Sequence, residues 1–246
     1  MDDFLNALTL LTVLQIPTRG TTISARALAY YPLVGILIGL VLAGSAWLLH
    51  LVFPGPVVAV LAVGLWVVLT GALHLDGFAD ACDGLFAATT PARRLEILHD
   101  VHLGAFGAVG LILLLSAKVA ATASLASLVP LFLAPVLGRW AMVYAATYPL
   151  ARSDGMAFLF RAGLTRREVL AATVIAAGAT LIAEWATMPI GGFGLAAFTA
   201  AALVATMLAH FARSRLGGLT GDIYGLICES VELSVLLVGA AMLGTR

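Results

Sequence analysis

Residues 70–84 read TGALHLDGFADACDG. A wholly apolar run precedes them, and then three aspartates follow in quick succession, Asp76, Asp80 and Asp83. At about 100° per residue these three fall within roughly a 60° arc of an α-helix. Three carboxylates on one stripe repel each other. A hard divalent cation such as Mg²⁺ relieves that conflict, because it takes oxygen ligands and shares them with substrate phosphates. The alternative is a solvated acidic turn punctuated by Gly77 and Gly84, but such a turn has no reason to set Asp on one face and Ala on the others. The pattern predicts a metal–phosphate site with Asp76, Asp80 and Asp83 as ligands. His74 points to the far side of the same helix and is a candidate substrate contact.

The surroundings of this stretch are those of a membrane protein. The chain has 246 residues, 62% hydrophobic and 11% charged, with a mean hydropathy of +1.07. Several apolar runs reach or approach the length of about 20 residues needed to cross a bilayer. The predicted fold is all-α and polytopic, a single membrane-embedded domain over 1–246. Residues 4–16 have helical apolar spacing but are short for a span, and Pro17 ends them, so a short amphipathic interfacial helix is expected there. About seven spans follow. They cover 29–53, 57–74, 105–129, 131–150, a fifth ending near 188, a sixth ending near 211 and a last one ending near 243. The N-terminus has no positive n-region and no A-x-A site, so no signal peptide is expected. Cys82 and Cys228 form no C-x-x-C pair and do not indicate zinc. Cys82 lies about 120° from the carboxylate stripe and reads as a packing residue.

Charge is distributed unequally between the loops. Arg19 and Arg26, then Arg93 and Arg94, then Arg152, Arg161, Arg166 and Arg167, then Arg213 and Arg215 occupy alternate loops. The opposite turns, at 54–56, 130 and 189–192, hold no Lys or Arg. By the positive-inside rule the charged loops are cytoplasmic and the chemistry faces the cytoplasm. The net charge is zero and the pI near 7, so nothing argues for a nucleic-acid partner.

Three further groups could carry chemistry. GGLTGDIYGLICESVEL, residues 217–233, echoes the first motif: Asp222, Glu229 and Glu232 share roughly one side of a helix. Glycines precede it, and at Gly221 backbone N–H groups could approach a phosphate. Asp222 could equally be an N-cap. Lys118 and Arg139 lie inside spans, where an unpaired charge costs at least about 2.5 kcal/mol. Each is roughly 16–20 Å from the charged-loop end of its span at 1.5 Å per residue, so the two could flank an anionic group. Snorkelling, or hydrogen bonding to helix carbonyls, is the competing account. In HDVHLGAFG, Asp100 and His102 precede Gly104 and Gly107, which permit close backbone approach, and a substrate-facing turn is expected. Glu184 reads as solvated.

LHLDGFADACDG resembles the signature of the cobalamin synthase family, the adenosylcobinamide-GDP ribazoletransferases. FLNALTLLTVLQIP, ARALAYYPLVGILIGL, RRLEILHDVHLGAFGAVGLILLLSAK, APVLGRW and GGLTGDIYGLICESVEL resemble that family's successive blocks in the same order, and the least support lies between about 169 and 210. Two positions depart from the pattern, Ala72 where Gly is common and Ala81–Cys82 where a Thr–Ala type pair is common. Neither removes a carboxylate.

The resemblance implies an integral inner-membrane, Mg²⁺-dependent phosphotransferase in late vitamin B12 biosynthesis. It would join adenosylcobinamide-GDP to α-ribazole, or its 5′-phosphate, with release of GMP. On that reading Asp83, Asp222 or Glu229 would accept the hydroxyl proton, and Lys118 or Arg139 would hold a phosphate oxygen. The partners would be the two substrates and the lipid bilayer. A homo-oligomer and other cobalamin-pathway enzymes docked on the loops remain open.

Two rival classes fit less well. CDP-alcohol phosphotransferases carry a D-G-x-x-A-R run, and here Asp76-Gly77 is followed by Phe78-Ala79-Asp80 without an Arg. A cation or corrinoid transporter would need polar residues in both membrane halves, whereas these crowd one side.

Overall fold

Turn and cap signals in the sequence coincide with the helix ends. The computed structural model describes residues 2–17, 24–153, 155–188 and 190–244, so Arg19, Asp154, Pro189 and Arg246 lie outside the described residues. The chain runs through α1 (Asp2–Leu11), a 3₁₀ turn (Ala25–Tyr30), α2 (Tyr31–Leu49), α3 (Gly55–Thr70), α4 (Leu73–Phe86) and α5 (Pro91–Ile97). It continues through α6 (Ala105–Ala123), α7 (Val129–Ala145), α8 (Gly155–Arg161), α9 (Arg166–Ala186), α10 (Phe193–Leu216) and α11 (Gly221–Leu243). Thr90 caps α5 with Pro91 at its first turn, and Thr165 and Glu168 form a capping box at α9. Among the described residues the only β pairings are the isolated bridges Leu125–Gly244 and Leu150–Leu219. The fold is all-α.

Among the described residues five helical segments are long and apolar enough to cross a membrane, and the bent pair α3–α4 would make a sixth. The span expected at 131–150 appears instead as the 17-residue α7, which is short for a crossing by itself. Large apolar side chains on the outer helices face outward, with Trp185 73% and Leu195 70% exposed, as a lipid-contacting surface requires.

The centre of the bundle is α7 with α11. Nearly every α7 side chain is buried, and α2 and α11 are its main partners. Close approach there depends on absent side chains. A Cβ at Gly35 of α2 would lie 2.7 Å from Val136 Cα, and one at Gly138 of α7 would lie 2.8 Å from Glu232 Cγ. Small residues at crossings are how helices gain van der Waals contact in lipid, where apolar burial supplies no net drive.

One boundary changes. The second span does not run to residue 74; α3 stops at Thr70 and α4 leaves at 92° to it. Thr70 turns its hydroxyl back to Trp66 O (3.0 Å), and both Gly71 (φ 59°) and Ala72 (φ 57°) adopt left-handed backbone. Ala72 is the position where the resemblance expects Gly, the residue that takes this conformation without strain. The N-terminal helix is short and amphipathic, as expected: it ends at Leu11, and Ala7, Leu8 and Leu11 on its buried face pack against the 3₁₀ turn and α2.

Candidate active site

α4 and α11 cross with almost no side chain between them. A Cβ on Gly77 would lie 3.0 Å from Asp222 Cα, and a Cβ on Gly225 would lie 2.8 Å from His74 O. That contact sets Asp76 on α4 beside Asp222 on α11, and both line one cavity of about 340 Å³. Its apolar walls include Leu10 and Leu11 of α1, Leu28, and Met142 of α7. Its polar walls include His74, His99, Arg152, Gly221 and the two aspartates. Asp76 is exposed, Asp80 and Asp222 are half-buried, and among the described residues none of the three forms an ion pair. Asp76, Asp83 and Asp222 all lie close enough to repel charge on Asp80. Asp222 is not the helix N-cap; Thr220 holds that position and donates its hydroxyl to Asp222 Oδ2 at 3.2 Å.

The predicted ligand set Asp76, Asp80 and Asp83 is not assembled. Among the described residues no three His, Cys, Asp or Glu side chains are grouped as a ready metal site. Asp83 is used elsewhere: its carboxylate accepts from Gly104 N (2.9 Å) and Gly107 N (3.0 Å), at the N-terminus of α6. A carboxylate there satisfies donors that the first helical turn leaves free, and it opposes the positive end of the helix dipole. Any Cβ at Gly104 or Gly107 would overlap that carboxylate. The two glycines therefore serve Asp83, and Asp83 is not a free base. Glu184, expected to be only solvated, caps α10 in a related way, accepting from Gly194 N at 2.7 Å and also from Gly192 N. What remains is Asp76 and Asp222 on the cavity wall, with Asp80 near both, as a set of oxygen donors. Mg²⁺ is commonly held by one or two carboxylates with substrate phosphates completing its shell, and this donor set fits that use.

Glu229, Lys118 and Arg139 are also placed away from the cavity. Lys118 Nζ donates to Glu229 Oε2 (2.6 Å) and Glu232 Oε2 (2.5 Å), while Arg139 Nη1 donates to Glu232 Oε1. The Lys118 ammonium also lies 4.3 Å from the Trp66 ring centroid. All four charged side chains are at most 5% exposed, and their charges cancel. Sequence spacing put Asp222 and Glu229 on one helix face, as they are. However, seven residues correspond to about 10.5 Å along the axis, which drops Glu229 to the level of Lys118. The two cations are thus already paired with carboxylates and are not held for a phosphate.

Asp100 and His102 form an exposed pair, His102 Nδ1 to Asp100 Oδ1 at 2.7 Å, outside the cavity wall. The hydrogen bond from His102 holds the Asp100 carboxyl below its usual range. His74 does reach the cavity wall. It is 2% exposed, with neither ring nitrogen partnered among the described residues. Gly221 lines the cavity as expected. Sequence reasoning missed Arg152 and His99 as site residues, because nothing in the charged loops distinguishes them from the arginines that merely orient the chain.

An all-α bundle with apolar outer faces, holding a cavity lined by Asp76, Asp222 and Arg152 among apolar side chains, defines a membrane-embedded protein with a site for a small polar ligand. The chain belongs to the cobalamin-5-phosphate synthase family, whose model matches residues 3–240. It is similar to proteins named adenosylcobinamide-GDP ribazoletransferase from several bacteria. That of Syntrophobacter fumaroxidans is 39% identical, covering 97% of this chain and 98% of the relative. That of Roseiflexus sp. is 36% identical over 94% and 85%, and that of Deinococcus radiodurans 40% over 86% and 74%. No solved structure matches.

Proposed function

We infer that the chain is an adenosylcobinamide-GDP ribazoletransferase acting at a late step of cobalamin synthesis, and that it works as a Mg²⁺-dependent phosphotransferase. The observation that carries the chemistry is the α4–α11 crossing, which lines one cavity with Asp76 and Asp222, neither of them ion-paired. Asp76 and Asp80 would hold Mg²⁺, leaving Asp222 free. Bound there with the diphosphate, the ion would neutralise charge as the phosphoanhydride opens.

The reaction joins the ribose 5′-hydroxyl oxygen of α-ribazole to the phosphorus that stays with the corrinoid. The bond from that phosphorus to the bridging oxygen breaks, and GMP departs with the bridging oxygen. Asp222 takes the hydroxyl proton. Of the three acids considered for that role, it alone lines the cavity, since Asp83 caps α6 and Glu229 is paired with Lys118. The apolar wall of Leu10, Leu11, Leu28 and Met142 suits a flat base and keeps water from competing with the hydroxyl. Such transfers depend on positioning and charge neutralisation more than on covalent help from the protein. The one-sided arginine distribution supports an active site on the cytoplasmic side of the inner membrane.

The test is GMP release by the purified protein in detergent, supplied with adenosylcobinamide-GDP and α-ribazole, with and without Mg²⁺, and with Asp80→Asn alongside. Metal-dependent GMP together with a cobalamin product, both lost in the variant, is the expected result. A folded wild-type protein that binds the corrinoid and releases no GMP would overturn the assignment.

A further inference from the structure

We propose that Arg152 is the phosphate-binding residue of this site, the side chain that grips the diphosphate of the nucleotide-activated substrate in the cavity lined by Asp76 and Asp222. The proposal rests on the reading above that a diphosphate reacts in this cavity.

Arg152 lies in the loop after α7 and is tied down from two directions. Its Nη2 donates to Leu95 O, and its Nη1 lies against the ring of His99, 3.0 Å from Nδ1. Both anchors come from the α5 region, more than fifty positions earlier in the chain. Neither anchor is an anion. Among the described residues Arg152 forms no ion pair, whereas Lys118, Arg139 and Arg93 each have a carboxylate within reach. Yet it shares a cavity with Asp76 and Asp222, two unpaired carboxylates that a freely moving guanidinium would seek.

A carbonyl and an imidazole that fix the guanidinium while leaving its charge uncompensated prepare it for an anionic ligand. The planar fork suits phosphate, to which it can give two parallel N–H donors. The cavity then carries charge of both signs on its lining, with Asp76 to take a cation and Arg152 to take phosphate oxygens. A phosphoryl group whose charge spreads over its oxygens during transfer is served by both. His99 itself lines the cavity, near Asp222.

Steady-state kinetics with unphosphorylated α-ribazole test this, because all the phosphate is then on one substrate. Wild-type release of GMP first establishes the reaction, so its absence counts against the function and not against Arg152. Arg152→Gln keeps a donor for Leu95 O and removes the charge. It should raise KM for adenosylcobinamide-GDP about ten- to a hundredfold and leave KM for α-ribazole unchanged. Unchanged values for both substrates, or an equal rise in both, would overturn the proposal. A measurement on the unaltered protein guards against a misfolded variant: phenylglyoxal modification followed by mass spectrometry. GMP should protect Arg152 from the reagent and α-ribazole should not. An Arg152 that is unreactive, or equally reactive with and without GMP, sinks the assignment.

Discussion

Two groups of charges sit within this bundle and are treated in opposite ways. Asp76 and Asp222 at the cavity, and Asp80 beside them, have no cationic partner among the described residues. Deeper along α11, Glu229 and Glu232 are enclosed with Lys118 and Arg139 in a neutral cluster that reaches almost no solvent. Both groups are carried on the same helix. The difference teaches where binding capacity is kept. Carboxylates that repel one another beside a cavity have free energy to gain from a cation. Carboxylates already paired have none, and their partners hold α6, α7 and α11 in register. A charge inside a membrane is thus not by itself a sign of a substrate pathway; its partners decide.

The contrast can be broken by experiment, and the largest effect is expected in the closed cluster. Lys118→Met leaves buried Glu229 without a cation and Glu232 with Arg139 alone, and should cost about 3–5 kcal/mol of stability, read by unfolding in detergent. Adding Glu229→Gln should recover part of that loss. GMP release per folded molecule should change only a few-fold, and a selective loss of turnover at full stability would put Lys118 back among the substrate contacts. At the open set the pattern inverts. Asp76→Asn should lower kcat roughly 10²- to 10³-fold with the melting temperature unchanged or raised, since a mutual repulsion is removed.

Asp83 sharpens the boundary between the two. Asp83→Ala removes the cap of α6 and should destabilise by about 1–2 kcal/mol. The Mg²⁺ concentration giving half-maximal turnover should stay where it is. A shift of that value would return Asp83 to the metal. The smallest effect is at the break before α4. Ala72→Gly relieves a left-handed alanine worth roughly 1–2 kcal/mol and adds unfolded-state freedom worth about half that. The net gain should be about 0.5–1 kcal/mol, visible as a modest rise in melting temperature.

Much of this architecture is legible in the sequence, for a definite reason. Helix periodicity reports each helix's own face, so the aspartate stripe at 76, 80 and 83 and the shared side of Asp222 and Glu229 can be read directly. It does not report what lies opposite. Lys118 meets Glu229 across 111 positions of sequence, and Asp83 meets Gly104 across 21, so pairing and capping stay hidden until the helices cross. Arg152 is hidden differently. Its loop is rich in arginine for reasons of membrane orientation, and one functional cation does not stand out among topological ones. The amphipathic N-terminal helix is legible from its spacing, but the partners of its apolar face, the 3₁₀ turn and α2, are not.

The right-angle break at Gly71–Ala72 also bears on how such a chain enters a bilayer. α3 has 16 residues, about 24 Å of helix, short of a hydrocarbon core of about 30 Å. Continued straight, it would carry Asp76 about 32 Å from Gly55, to the edge of that core, and α4 would leave the bilayer instead of packing along α11. Turned aside, α4 lets α2 and α3 insert as a hairpin whose acidic extension returns to the side from which the hairpin entered. Assembly in the membrane and the layout of the carboxylates then depend on the same two residues.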